Sequence, residues 1–153
     1  MPSPRWDKSL ETGEPLVDRQ HRDIHALVNY VAAADDRPDE LLRVLDRLTE
    51  YVDCHFTTEE GLMHRSGYVG TEADRHIAEH QELKQAARDA VLQYRMGKLN
   101  STKPLVEFLR TWLSEHVHER DRVFVEFVRS RGEAATLPEP WASDPSRLNS
   151  LTA

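Results

Sequence analysis

An all-α fold is predicted for this chain: an antiparallel up-down-up-down four-helix bundle with an N-terminal arm and an irregular C-terminal tail. Three observations predict it. Four segments repeat apolar residues at alternating spacings of three and four. Proline, glycine and short polar clusters separate those segments, leaving connections short enough for antiparallel neighbours. No segment shows the period-2 alternation of a half-buried strand. The 153 residues fit one compact domain.

The first helix is expected from about Pro15 to Ala34, with Val17, His21, Ile24, Val28 and Val31 on one stripe. Asp35-Asp36-Arg37-Pro38 interrupts it, and Pro38 suits the first turn of the next helix. The second helix runs to about His64, with Leu41, Leu45, Leu48, Val52, His55, Glu59 and Leu62 facing one way. Gly67 and Gly70 mark a loop, and Thr71 with Asp74 resembles a capping box opening the third helix. Its inner stripe is Ala73, His76, His80, Leu83, Ala87, Val91 and Tyr94, and Gly97 is a natural stop. Ser101, Thr102 and Pro104 start the fourth helix. Leu105, Phe108, Leu109, Trp112, His116, Val123 and Phe127 give it an apolar side before Gly132. Residues 1–14 are then an arm carrying Trp6, 15–132 the bundle, and 133–153 an irregular tail rich in proline, serine, asparagine and aspartate.

Composition narrows the function. Twenty-seven acids against twenty bases give a formal charge of −7, which argues against nucleic acid or an anionic membrane surface as the main partner. No apolar run approaches the roughly 18 residues of a membrane span, and Met1-Pro2-Ser3-Pro4-Arg5 opens no signal peptide. The single cysteine, Cys54, excludes an intramolecular disulfide, so a cytoplasmic location is expected.

Eight histidines are the outlier, and several occupy inward positions. His21 is central in the first stripe; His55 and Glu59 are four apart in the second. His76 and His80 are four apart in the third, and His116 follows Trp112 by four in the fourth. Residues four apart share a helix face, so each pair approaches one point in the interior. Unpaired, such polar groups cost about 1–3 kcal/mol each. A metal compensates them directly, because imidazole and carboxylate are good ligands.

The motifs around these residues resemble those of bacterial hemerythrins. Trp6, Gly13 and Asp18-Arg19-Gln20-His21 are similar to the family's amino-terminal signature. His55-Phe56-Thr57-Thr58-Glu59-Glu60-Gly61-Leu62-Met63 resembles its second-helix motif, and His76 with His80 its third. Trp112-Leu113-Ser114-Glu115-His116, with Asp121 five residues on, resembles the fourth. The resemblance spans roughly residues 6–128.

It implies a non-haem di-iron centre. His76, His80 and His116 would bind one iron, His21 and His55 the other, with Glu59, Asp121 and an oxo or hydroxo group bridging them. Asp121 comes from the resemblance alone, since five residues along an α-helix turn about 140° away from His116. Three bridges and three histidines saturate one iron. Three bridges and two histidines leave the other with one open position, where dioxygen would bind. Reversible oxygen binding for storage, delivery or sensing follows, without enzymatic turnover. A di-iron enzyme handling peroxide, oxygen or nitric oxide is the alternative. A ferritin-like oxidase site needs two Glu-x-x-His motifs, and only Glu115/His118 is found. Seven ligands exceed what one tetrahedral zinc requires.

Some residues depart from the pattern. Val69 stands where the family usually has proline. His25, one turn after His21, serves either boundary packing, a hydrogen bond to a ligand, or substitute ligation. Glu119 either adds a carboxylate to the pocket, which favours the enzyme alternative, or faces solvent. His64 and His118 read as surface residues and Cys54 as a small packed one. The tail is either a plain end or a docking peptide for a protein partner, as in packaged hemerythrin-like cargo.

Overall fold

The computed structural model describes residues 5–131. The expected tail at 133–153, with its docking role, lies outside them. A single 3-10 turn, Lys8–Leu10, precedes α1 (Pro15–Ala33), α2 (Pro38–Ser66), α3 (Thr71–Arg95) and α4 (Lys103–His116). A π-helical segment, Val117–Asp121, joins α4 to α5 (Arg122–Ser130). Backbone angles stay helical through both junctions. The fourth rod of the four-helix bundle is therefore α4, the π segment and α5 in one line.

Local chemistry sets the helix ends. Glu14 caps α1 by accepting from the Leu16 and Val17 amides at 2.8 and 3.0 Å. Pro38 opens α2, and Gly67 closes it in the left-handed region at φ 77°, which a side chain would strain. The capping box expected at Thr71 is not formed. Gly70 occupies the cap position and Thr71 is already helical. Asp35, after α1, accepts from both the amide and hydroxyl of Thr102 at 2.6 and 2.7 Å, tying two loops at one end of the bundle.

The rods pack in sequence, α1 against α2 and α4, and α2 against α3. Two apolar clusters result. The larger includes Leu27, Val31, Leu45, Leu48 and Leu109; the smaller joins Val17, Leu62, Met63, Phe124, Val125 and Val128. On α1 and on the fourth rod the predicted site residues lie between members of the two clusters. Among the described residues no helix is long and apolar enough to cross a membrane.

Two readings of the fourth rod need correction. Phe108 is 44% exposed, with its neighbour Leu109 taking the inward place. Val123 is 49% exposed, whereas Phe124, Val125 and Val128 are buried. The π segment causes the second shift. A π turn holds about one residue more than an α turn, so every later inward position moves on by one.

The arm is tied down at both ends of its described part. Trp6 packs against the larger cluster, edge-on to His25 with centroids 5.7 Å apart. Asp18 accepts from the Thr12 amide, the Thr12 hydroxyl and the Gly13 amide at 2.7, 2.7 and 3.0 Å.

Candidate metal centre

The seven residues singled out in the sequence meet in one layer of the bundle. His21 comes from α1, His55 and Glu59 from α2, His76 and His80 from α3, His116 from the last turn of α4, and Asp121 from the end of the π segment. All are buried, from 0% exposure at Glu59, His76, His80 and Asp121 to 4% at His116.

The π segment solves the problem that periodicity posed for Asp121. In an α-helix Asp121 would point about 140° from His116. With the wider turn, Asp121 Oδ1 lies 3.2 Å from His116 Nε2 and 2.8 Å from His76 Nε2, while Oδ2 lies 3.0 Å from His21 Nε2. Glu59 reaches across in the same way, with Oε1 3.1 Å from His55 Nε2 and Oε2 3.2 Å from His80 Nε2.

The ligand atoms therefore fall into two groups that share both carboxylates. One contains Glu59, His76, His80, His116 and Asp121; the other His21, His55, Glu59 and Asp121. Within each group all ligand atoms lie within 4.8 Å of one another.

Several observations test whether cations fit here. The contacts are short, yet all four oxygens of Glu59 and Asp121 are buried without a hydrogen bond among the described residues. His116 Nε2 stands 3.0 Å from His76 Nε2 and 3.2 Å from His80 Nε2. For a metal–imidazole bond of about 2.1 Å, neighbouring ligands of an octahedral ion lie about 3.0 Å apart. Lone pairs aimed at a common point at that separation are what a six-coordinate ion requires.

Protons compete for the same atoms. Burial opposes a charge on His21, but Asp121 and Glu59 outweigh it and push its pKa up to about 10. Against the same burial, Asp121 and Glu59 push His76 up to about 9. Burial prevails at His55 and pushes it down. Burial also raises Glu59 and Asp121, yet the facing histidines hold both well below the usual carboxylate range.

A further set of residues fixes the imidazoles from behind. His55 Nδ1 is 2.6 Å from Gln20 Oε1, His80 Nδ1 is 3.1 Å from Glu60 Oε1, and His116 Nδ1 is 2.8 Å from Glu79 Oε2. Arg120 Nε in turn donates to Glu79 Oε1 at 2.8 Å. Such partners set ring orientation and which nitrogen is free for a metal. Sequence reasoning missed their roles, although a signal existed. Each acceptor is the chain neighbour of a site residue: Gln20 of His21, Glu60 of Glu59, Glu79 of His80. Each serves a histidine on another helix.

Aromatic rings close the layer. Phe56 stacks on His80 at 3.8 Å and Trp112 on His116 at 4.3 Å. Beside them lies a cavity of about 20 Å³, room for about one water-sized molecule. His21, His55, His116 and Asp121 are its polar lining, and apolar side chains such as Ile24, Val28, Val52 and Leu113 supply the rest. Trp112 is half-buried, whereas the other residues of that lining are buried.

The remaining sequence candidates lie outside the two groups. His25 packs on Trp6. Glu119, His64 and His118 are exposed, so Glu119 adds no carboxylate to the pocket. Cys54 is half-buried against the larger cluster. Val69 is 77% exposed in the loop between α2 and α3.

The hemerythrin HHE cation binding domain model matches residues 12–128. A bacteriohemerythrin of Methylococcus capsulatus is 31% identical over 115 residues, covering 74% of this chain and 86% of the relative. One of Pseudomonas aeruginosa is 27% identical over 126 residues, covering 81% and 80%. Among solved structures, wild-type hemerythrin superposes with a TM-score of 0.73 at 27% identity, covering 79% of this chain and 94% of that one. A leucine-to-alanine mutant of hemerythrin gives 0.76 at 26% identity, covering 83% and 98%.

Proposed function

The chain belongs to the hemerythrin HHE cation-binding domain family, and we propose that it binds dioxygen reversibly at a non-haem di-iron centre. His76, His80 and His116 hold one iron, and His21 and His55 the other. Glu59 and Asp121, which belong to both groups, would serve both irons. When bound, a diferrous pair supplies the electrons on which reversible dioxygen binding draws.

The residues of the chain provide the rest. Gln20, Glu60 and Glu79 hold three imidazoles with Nδ1 occupied and Nε2 free. The group of His21 and His55 offers one donor fewer than the other, so an iron held there would have room for a small ligand. The apolar walls beside it disfavour water and hydroxide, whose hydrogen bonds they cannot replace. The observation that carries the reading is this cavity, sized for one small molecule and lined by His21 and His55 together with His116, Asp121 and apolar side chains. Storage, delivery and sensing all draw on that binding step. The enzyme alternative rested on a carboxylate from Glu119, and that side chain faces solvent.

The test is iron content followed by anaerobic reduction, readmission of oxygen and an absorbance scan. Two irons per chain and a visible charge-transfer band that disappears on deoxygenation are expected. Two irons that oxygen merely oxidises would overturn the carrier reading. Iron that cannot be reconstituted would overturn the ligand assignment.

A further inference from the structure

The acceptors behind the imidazoles are not chemically equal. His80 and His116, both in the three-histidine group, face carboxylates: Glu60 at 3.1 Å and Glu79 at 2.8 Å. His55, in the two-histidine group, faces the neutral amide oxygen of Gln20 at 2.6 Å. Among the described residues, His21 Nδ1 and His76 Nδ1 are buried without a hydrogen-bond partner. Among the described residues, the carboxylates that face an imidazole Nδ1 therefore both stand on one side of the centre.

That difference has an electronic consequence. A carboxylate pulls harder on an Nδ1 proton than an amide does, giving the ring more imidazolate character and making Nε2 a stronger donor. A stronger donor stabilises the higher charge of a bound metal. Arg120 Nε stands 2.8 Å from Glu79 Oε1, so this carboxylate is held between a guanidinium and the His116 ring. Ring orientation alone would not need this asymmetry, because an amide fixes the tautomer equally well.

We infer that Glu79 and Glu60 are positioning residues that bias the ferric state toward the metal held by His76, His80 and His116, while Gln20 leaves the metal of His21 and His55 easier to keep ferrous. The redox change is one electron per iron, Fe(II) to Fe(III), exchanged in the experiment with added ferricyanide and dithionite. The inference rests on the di-iron reading above.

Two isosteric swaps test it in the iron-loaded full chain, followed by redox titration with optical detection. Glu79→Gln removes the charge from the three-histidine side, and the midpoint potential of the first oxidation should rise. Iron affinity should fall about tenfold. Gln20→Glu adds a charge on the other side, and the potential should fall. Shifts of opposite sign are a signature that loss of packing does not produce. Shifts of the same sign, or none, overturn the inference. Should Glu79→Gln fail to fold or to load, Glu60→Gln must raise the potential instead, and no rise there is equally fatal. Iron content separates the two levels of failure. A wild-type chain without two irons defeats the di-iron reading, whereas two irons with unmoved potentials defeat this inference alone.

Discussion

Stripping the metal with a chelator should make the thermal stability of this chain fall as pH rises from 6.5 to 10. Without cations, His21 and His76 are protonated against Asp121 and Glu59, with pKa values of about 10 and about 9 in place of 6.5. A pKa raised in the folded state stabilises the fold fully below the unfolded value of 6.5. That contribution disappears as pH climbs through about 9 and then 10. For His21 the difference of about 3.5 units corresponds to about 5 kcal/mol at 1.36 kcal/mol per unit. His76 draws on the same two carboxylates, so the two do not add, and the about 3–5 kcal/mol that breaking a buried ion pair costs sets the scale for the whole. At about 2–4 °C per kcal/mol for a chain of this size, Tm should drop by about 6–20 °C. Calorimetry of stripped and iron-loaded protein across the window is the assay. The loaded chain serves as the control, because metal-bound nitrogens have no proton to lose there. Asp121→Asn, which removes a partner of both histidines at 3.0 and 2.8 Å, should flatten the slope. A stripped-protein Tm that stays level with, or rises relative to, the loaded protein refutes the reasoning.

Three other perturbations separate the site from its surroundings. Val28→Leu adds a methylene against a cavity of about 20 Å³; oxygen affinity should fall at least tenfold with iron content unchanged, measured by equilibrium titration. Trp112→Ala removes the one incompletely buried wall of that cavity. Stopped-flow measurements should then show oxygen association and dissociation both faster, by a similar factor. Asp35→Ala deletes two hydrogen bonds to Thr102 far from the metal layer, costing about 1–2 kcal/mol. Tm should drop by several degrees on melting, with iron stoichiometry intact.

Much of this molecule follows from residue order alone. A 3.6-residue period is a property of consecutive residues, so the stripes of α1, α2 and α3 and the inward histidines were legible without coordinates. Pairs four apart, such as His55 with Glu59 and His76 with His80, needed only helical geometry to share a face. The fourth rod was legible, Phe108 apart, only as far as His116. Beyond it the backbone takes a π turn, and no local pattern announces one. Its hydrogen bonds give no advantage over those of an α-helix, so the reason for it is tertiary. Only the wider turn brings Asp121 to His21 and His76 on other helices while turning Phe124, Val125 and Val128 into the smaller cluster. The same limit hid Gln20, Glu60 and Glu79. Each lies beside a site residue in sequence, but the histidine it serves is on a neighbouring helix, and helix rotation decides which one. The sequence by itself determined the four helices and most of the donor set. Tertiary packing decided how those donors divide into two groups, which charges stand behind them, and where a small cavity remains, because these depend on distances between helices and not on order within one.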